Sequence, residues 1–266
     1  MRHFFETLDE MAKFPNTLGV MVAYELINDT QSMKCAPVLK AAVKDLKKYM
    51  RFQSESTGQR VLPIGYDASS ARLPLFETLY YLSCGDSDAR IDFVSCKGYE
   101  WVGSKSSIKI SGWQTLIEQF QHLPTPIFFS EYGTTMPTYT VSATTESREF
   151  TETSALFSPA MTHVFSGGCV YEFWRSRNGY GMLQVFQGGA IVEKRAGPLG
   201  IMLVYADFFN YQKRLAAARE VEPNTLAAHT DRTGYERVFE TVQRRDIADM
   251  GEVPDSPIDW AQFINL

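Results

Sequence analysis

The sequence predicts an α/β protein of the (β/α)8 TIM-barrel type, and three observations carry that expectation. Apolar runs of strand length alternate with stretches of helical period along residues 4–173, and strands separated by helices must run parallel. Two of the runs, one through Thr17-Leu18-Gly19-Val20-Met21-Val22-Ala23-Tyr24 and one through Pro126-Ile127-Phe128-Phe129-Ser130, each end in a glutamate, Glu25 and Glu131. The exit of a buried parallel strand is where barrel enzymes keep their reactive groups. A doubly wound sheet would carry a glycine-rich phosphate loop after its first strand. The nearest match here, Asn178-Gly179-Tyr180-Gly181, follows the last strand instead.

The elements follow in order. Phe4/Phe5, Leu8 and Met11/Ala12 form a helical stripe that Pro15 and Asn16 stop. A strand over 17–24 comes next. A helix over 37–50 opens with Pro37 in its first turn and repeats apolar residues at Leu39, Ala42/Val43, Leu46 and Tyr49/Met50. A polar loop, 53–60, leads to a strand over 61–66. A helix over 71–82 uses Leu75/Phe76, Leu79 and Leu82. The strand 91–96 is followed by the loop Lys97-Gly98-Tyr99-Glu100-Trp101-Val102, and a helix over 111–121 starts at the N-cap Ser111. After the strand ending in Glu131 comes a Thr-rich loop, 134–147, then one helix presenting Phe150, Phe157, Met161 and Val164 inward. The strand 167–173 and a hairpin over 180–193 close the series. Residues 205–219 and 235–250 read as helices. The chain therefore divides into a barrel part, 1–200, and a helical, charged C-terminal extension, 201–266.

Composition narrows the functions. A net charge of −5 argues against nucleic acid as a partner, since that needs a basic face. The cysteines Cys35, Cys84, Cys96 and Cys169 form no C-x-x-C pair. A zinc or redox motif is therefore not expected, and no metal or cofactor is called for. Aromatic residues make up 13% of the chain, and several stand near strand exits, where ring faces can meet sugar faces. Two carboxylates at the exits of two parallel strands are the minimum set for a retaining glycosidase or transglycosidase. A single such Glu is ordinarily a cap or an ion-pair partner; the repetition is what makes the chemistry worth pursuing.

The words around these residues carry a resemblance. Asn16-Thr17-Leu18-Gly19, Glu25-Leu26-Ile27-Asn28-Asp29, Ile64-Gly65-Tyr66, Leu82-Ser83-Cys84-Gly85, Tyr99-Glu100-Trp101, Ser130-Glu131-Tyr132-Gly133 and Ser166-Gly167-Gly168-Cys169-Val170-Tyr171-Glu172-Phe173 occur in order over residues 4–195. The set resembles the fungal β-1,3-glucanosyltransferases, the glycolipid-anchored cell-wall enzymes of glycoside hydrolase family seventy-two. The resemblance implies a retaining barrel enzyme that cuts a β-1,3-glucan, holds it covalently and passes it to a second glucan. It gives Glu25 the acid/base role and Glu131 the nucleophile role, with their carboxylates about 5–5.5 Å apart as in retaining pairs. Tyr99 and Tyr171 match donor-site aromatics, and Tyr24, Trp101 and Tyr132 join them as candidate sugar contacts.

The resemblance also marks departures. The family has Asn where Tyr24 stands, and cysteines where Val102 and Thr134 stand. Matched to the family, the chain begins inside the third barrel helix. The expected fold is thus an incomplete barrel, with strands four to eight present and one to three missing. Its sheet would have two open edges, through which copies could self-associate. Activity of such a truncated chain is itself in question. Alternative readings are a catalytically dead remnant that binds glucan through Tyr99, Trp101 and Tyr171, and a plain β-1,3-glucan hydrolase. Asn28-Asp29-Thr30 is a glycosylation sequon. The family sits at the cell surface. The sequence as written has no apolar signal core at its start and no hydrophobic tail at its end, so it reads as intracellular or as a fragment.

Overall fold

The structure is a computed structural model and describes residues 1–69, 75–135, 147–186, 201–221 and 251–263. The strands fall where the buried apolar runs are: β1 (Val20–Tyr24), β2 (Ile64–Ala68), β3 (Phe93–Gly98), β4 (Ile127–Tyr132) and β5 (Phe165–Val170). They form one five-stranded sheet in the order β1-β2-β3-β4-β5, with β1/β2 and β2/β3 paired in parallel. Helices α1 (Arg2–Ala12), α2 (Ala36–Thr57), α3 (Leu75–Ser83) and α4 (Trp113–Phe120) alternate with the strands. Five parallel strands in sequential order, with helical crossovers, are what the incomplete barrel requires.

Local chemistry explains where the boundaries differ from expectation. Helix α2 does not stop at residue 50 but runs to Thr57, where Gly58 adopts a left-handed conformation (φ 75°) and donates its N–H to Ser54 O at 3.0 Å. That glycine cap, rather than the polarity of Gln53 to Arg60, ends the helix. The single helix expected after the Thr-rich loop is two, α5 (Thr151–Leu156) and α6 (Pro159–Thr162). Pro159 has no N–H to continue α5 and sits at the start of α6. The strand expected in the hairpin is β6 (Leu183–Phe186), and it pairs antiparallel with β7 (Ile201–Val204). Helix α7 (Ala206–Ala218) matches the periodic stretch at 205–219. The helix expected over 235–250, most of the Thr-rich loop and the start of the helix expected over 71–82 lie outside the described residues.

By contact, the chain forms two units: residues 1–97, 119–128 and 226–266, and residues 98–118 and 129–225. In the first, Val43, Leu46 and Met50 of α2 join Ile64, Leu79, Leu82 and Val94 in a core in which each is at most 2% exposed. Several of its buried polar groups are paired: Lys40 Nζ donates to Cys84 O at 2.7 Å, and Ser83 and Thr125 share a hydrogen bond at 3.0 Å. The terminal helix α8 (Trp260–Phe263) also belongs here. Trp260 Nε1 donates to Asp45 Oδ1 at 3.2 Å, and Phe263 lies 5.9 Å from both Phe5 and Tyr49, ring centre to ring centre.

The second unit is built around Phe129 of β4, whose ring centre lies 5.0 Å from Trp113 and 4.7 Å from Phe165. Gly98 and Gly168 accommodate it: a Cβ at either position would come within 2.9 Å of Phe129. Gly98 and Gly168 are therefore there for packing, whereas Gly167 answers to its backbone, at φ 112°. Among the described residues no helix is long and apolar enough to cross a membrane.

Candidate active site

In the first unit, the exits of β1, β2 and β3 converge on a buried ionic cluster. Asp67 of β2 is 2% exposed, so its carboxylate must be paired. Register places Ser95 of β3 opposite Asp67, and Lys97, two residues on, shares the face of Ser95. Both reach the same carboxylate: Ser95 Oγ donates to Oδ1 at 2.5 Å and Lys97 Nζ to Oδ2 at 2.7 Å. The Lys97 ammonium also lies 3.5 Å from Glu25 Oε1 and 4.3 Å from the centre of the Tyr24 ring.

Glu25 leaves β1 in a left-handed conformation (φ 47°) while its N–H donates to Asp67 O at 2.9 Å. A non-glycine residue held there is strained and persists only where its surroundings fix it. The next turn is pinned by Tyr66, whose hydroxyl accepts from Ile27 N at 2.9 Å. Burial raises the Tyr66 phenol above its ordinary range, so it stays protonated. Tyr24 is 61% exposed. Asn28 is exposed, in a turn where Ser32 Oγ accepts from the Asn28 and Asp29 N–H groups at 3.0 Å each.

In the second unit, Glu131 sits at the end of β4 with Tyr99 Oη donating to its Oε2 at 2.8 Å. Tyr99, Tyr171 and Tyr180 form a triangle of edge-to-face rings, with centres 6.4, 6.2 and 5.5 Å apart. Burial first, then the hydrogen bond to Glu131, pushes the Tyr99 phenol well above the usual tyrosine range. The shift favours the protonated phenol, the form that donates to Glu131. Tyr171 Oη accepts from Asn178 Nδ2 at 3.0 Å. Gly133, just past Glu131, has φ 105°, and a Cβ there would meet Val170 Cγ2 at 2.8 Å. Glu131-Tyr132-Gly133 therefore needs its glycine for the chain to turn.

Two expected sugar contacts are corrected. Tyr132 is 0% exposed. Neighbours in a strand face opposite ways, so Tyr132 turns inward, its hydroxyl 3.1 Å from Thr153 Oγ1 and 3.5 Å from Tyr211 Oη. Trp101 is 6% exposed: its indole packs 5.0 Å from Trp113, centre to centre, and Nε1 donates to Thr151 Oγ1 at 3.0 Å. Neither ring has a face to offer a sugar.

Sequence reasoning passed over Lys97, Asp67 and Tyr180. The spacing of Ser95 and Lys97 on one strand face was a usable signal for the first two. Tyr180 is visible in the sequence only as part of the word Asn178-Gly179-Tyr180-Gly181, which lies in the wrong place for a phosphate loop. Among the described residues, no group of three or more His, Cys, Asp or Glu side chains could hold a metal ion.

Parallel strands alternating with helices, each of β1 and β4 leading to a glutamate with aromatic neighbours, define a protein of the barrel glycosidase type. The sequence profile of the glucanosyltransferases, glycoside hydrolase family 72, matches residues 1–195, and the chain belongs to that family.

It is 36% identical over 185 residues to the 1,3-beta-glucanosyltransferase gel1 of Aspergillus fumigatus, covering 70% of this chain and 38% of that protein. It is 36% identical over 186 residues to the 1,3-beta-glucanosyltransferase GAS5 of Saccharomyces cerevisiae, covering 70% and 36%. Among solved structures it resembles a mutant Saccharomyces cerevisiae Gas2p in complex with laminaritetraose and laminaripentaose. There the TM-score is 0.65 at 28% identity, covering 85% of this chain and 49% of that one. A complex of the same enzyme with a small compound gives a TM-score of 0.70 at 27% identity, covering 97% and 54%. The chain thus spans little more than a third of the length of these curated relatives.

Proposed function

We propose that this chain carries the catalytic groups of a retaining β-1,3-glucan transglycosylation of the kind that remodels fungal cell walls. In this reading Glu131 attacks the anomeric carbon of a donor glucan while the bond to the leaving glucan oxygen breaks. Glu25 gives that oxygen its proton. The sugar is held as an ester on Glu131 until the 3-hydroxyl of an acceptor glucan attacks. Glu25 then takes the acceptor's proton, a new β-1,3 bond forms, and the Glu131 carboxylate is released. The sequence of steps is that of a retaining enzyme with a sugar in place of water.

The observation that carries this reading is the Tyr99–Glu131 hydrogen bond at the exit of β4, within a triangle of tyrosines. A donor that stays protonated orients the carboxylate for attack, and the surrounding rings suit a sugar face. The relatives named 1,3-beta-glucanosyltransferases and the laminari-oligosaccharide complex support glucan as donor and acceptor.

A second reading, glucan binding without turnover, has one observation in its favour. Lys97 engages Glu25 at 3.5 Å, occupying a carboxylate that must otherwise serve a glycosidic oxygen. Incubation with laminari-oligosaccharides, with products separated by chain length, divides the two. Longer products from the wild-type chain that vanish in Glu131→Gln, while titrated glucan binding persists, establish transfer. Binding by both with longer products from neither establishes the second reading, and shortening alone establishes hydrolysis.

Self-association is a further part of the proposal. Strands β1 and β5 are the end strands of the five-stranded sheet among the described residues, and an unpaired edge is a template for pairing. Sedimentation should show a concentration-dependent dimer; a monomer at all concentrations would remove it.

A further inference from the structure

We propose that Arg148 is the positioning residue of the Glu131 site, with Asp207 as its anchor. The proposal rests on the reading that Glu131 is the nucleophile. Arg148 is 7% exposed, so its charge has to be met inside the protein. Nε donates to Asp207 Oδ2 at 2.8 Å, and one terminal nitrogen donates to Gly133 O at 2.9 Å and Tyr171 O at 2.8 Å. The other donates to Tyr180 O. Four N–H groups of one planar ion thus have acceptors, of the five a guanidinium carries.

Three of those acceptors are main-chain carbonyls that control the site. Gly133 lies two residues past Glu131, and Tyr171 and Tyr180 are two corners of the aromatic triangle. The third corner is tied in as well: the Thr134 hydroxyl donates to Tyr99 O. A chain of contacts therefore runs from Arg148 through Gly133 and Thr134 to Tyr99, and from the Tyr99 hydroxyl to Glu131.

The anchor is built with the same care. Asp207 lies in the first turn of α7, where the helix dipole favours a carboxylate, and it also accepts from Arg148 N at 3.1 Å. Asn210 Nδ2 donates to Arg148 O at 2.8 Å and Arg214 Nε to Glu149 O at 3.0 Å. One face of α7 thus holds residues 148–149 in place. A lysine would keep the charge of Arg148 but could not span these acceptors, because its single nitrogen lacks the fork.

The test uses Arg148→Lys and Asp207→Asn in the full chain. Transfer kinetics on laminari-oligosaccharides are read beside the ionisation of tyrosine followed by tyrosinate absorbance. We expect both variants to melt cooperatively. We expect kcat to fall about 10²-fold, the loss that a displacement of about 1 Å produces, with KM within about threefold of wild type. In the wild type, burial and the hydrogen bond to Glu131 should keep Tyr99 protonated between pH ~9 and ~11, where an exposed tyrosine ionises. In the folded variants one further tyrosine should ionise there and disappear from that range when Tyr99→Phe is added. A merely structural role would leave that titration unchanged. Wild-type kinetics and titration in a folded Arg148→Lys chain overturn the proposal, and Asp207→Asn decides it by the same two readouts if the lysine variant does not fold. A wild-type chain that transfers nothing would remove the nucleophile reading, and the tyrosine titration would still decide what Arg148 holds.

Discussion

Replacing Lys97 by methionine removes a charge at the centre of the cluster formed by β1, β2 and β3 while keeping a side chain of similar length. Two effects of different size follow. The pair with Glu25 spans 3.5 Å, and the Glu25 side chain is 33% exposed, so its loss is worth about 0–1 kcal/mol. The pair with Asp67 spans 2.7 Å, with side-chain exposures of 9% and 2%. Losing Lys97 leaves Asp67 with Ser95 as its remaining donor in this cluster and costs about 3–5 kcal/mol. The second effect decides the outcome. For a protein of this size each kcal/mol moves the midpoint by about 2–4 °C, so Lys97→Met should melt roughly 10 °C below wild type. The double variant Lys97→Met/Asp67→Asn removes the buried charge altogether and should recover most of that loss. The assay is thermal and urea unfolding of the two single variants and the double. A Lys97→Met chain within about 1 kcal/mol of wild type, below the range for a broken buried pair, would show that Asp67 does not depend on Lys97. So would a double variant no more stable than Lys97→Met.

Other consequences can be measured alongside. Burial raises the Glu152 carboxyl from 4.5 to about 7, against the pull of Arg148 and Arg214. The folded chain then binds a proton that the unfolded chain has released, so this contribution is intact below pH ~4.5 and is lost as pH rises to ~7, roughly 3 kcal/mol in all. Glu152→Gln should flatten that part of the stability–pH curve and be the more stable chain at pH ~8; an unchanged slope would contradict the assignment. Tyr99→Phe takes one charged hydrogen bond from Glu131, worth about 1.5–3 kcal/mol, and should slow transfer about 10- to 100-fold with glucan binding retained. Gly168→Ala drives a methyl against Phe129, with Phe129 Cβ at 2.9 Å. It should cost about 1–3 kcal/mol by urea titration, whereas a neutral result would mean that β4 and β5 have room to part.

Much of this was legible along the chain. The strands leading to Glu25 and Glu131 announced themselves as apolar runs too short for helices, and the alternation with helical stripes gave the parallel sheet. The ends of elements were less visible. Gly58 stops α2 by its backbone conformation, which the charge pattern of 53–60 conceals, and the strand that pairs with β6 lies beyond the expected hairpin. At the site, aromatic identity did not distinguish Tyr99, whose hydroxyl meets Glu131, from Tyr132, one residue past Glu131 and turned to the core. Strand alternation along β4 is what turns Tyr132 away from Glu131. Arg148 and Asp207 carry no such signal, because ordinary charged residues become informative only when folding places them out of water beside a specific partner.

In the proposed reaction Glu131 bonds to the sugar. An activated laminaribioside fluorinated beside its anomeric carbon slows release of the ester and traps it for peptide mass mapping. One adduct is expected, on the peptide carrying Glu131, that glucan competes away and Glu131→Gln abolishes. An adduct on Glu25 or another carboxylate, or none from a chain that binds the same sugar, would contradict it.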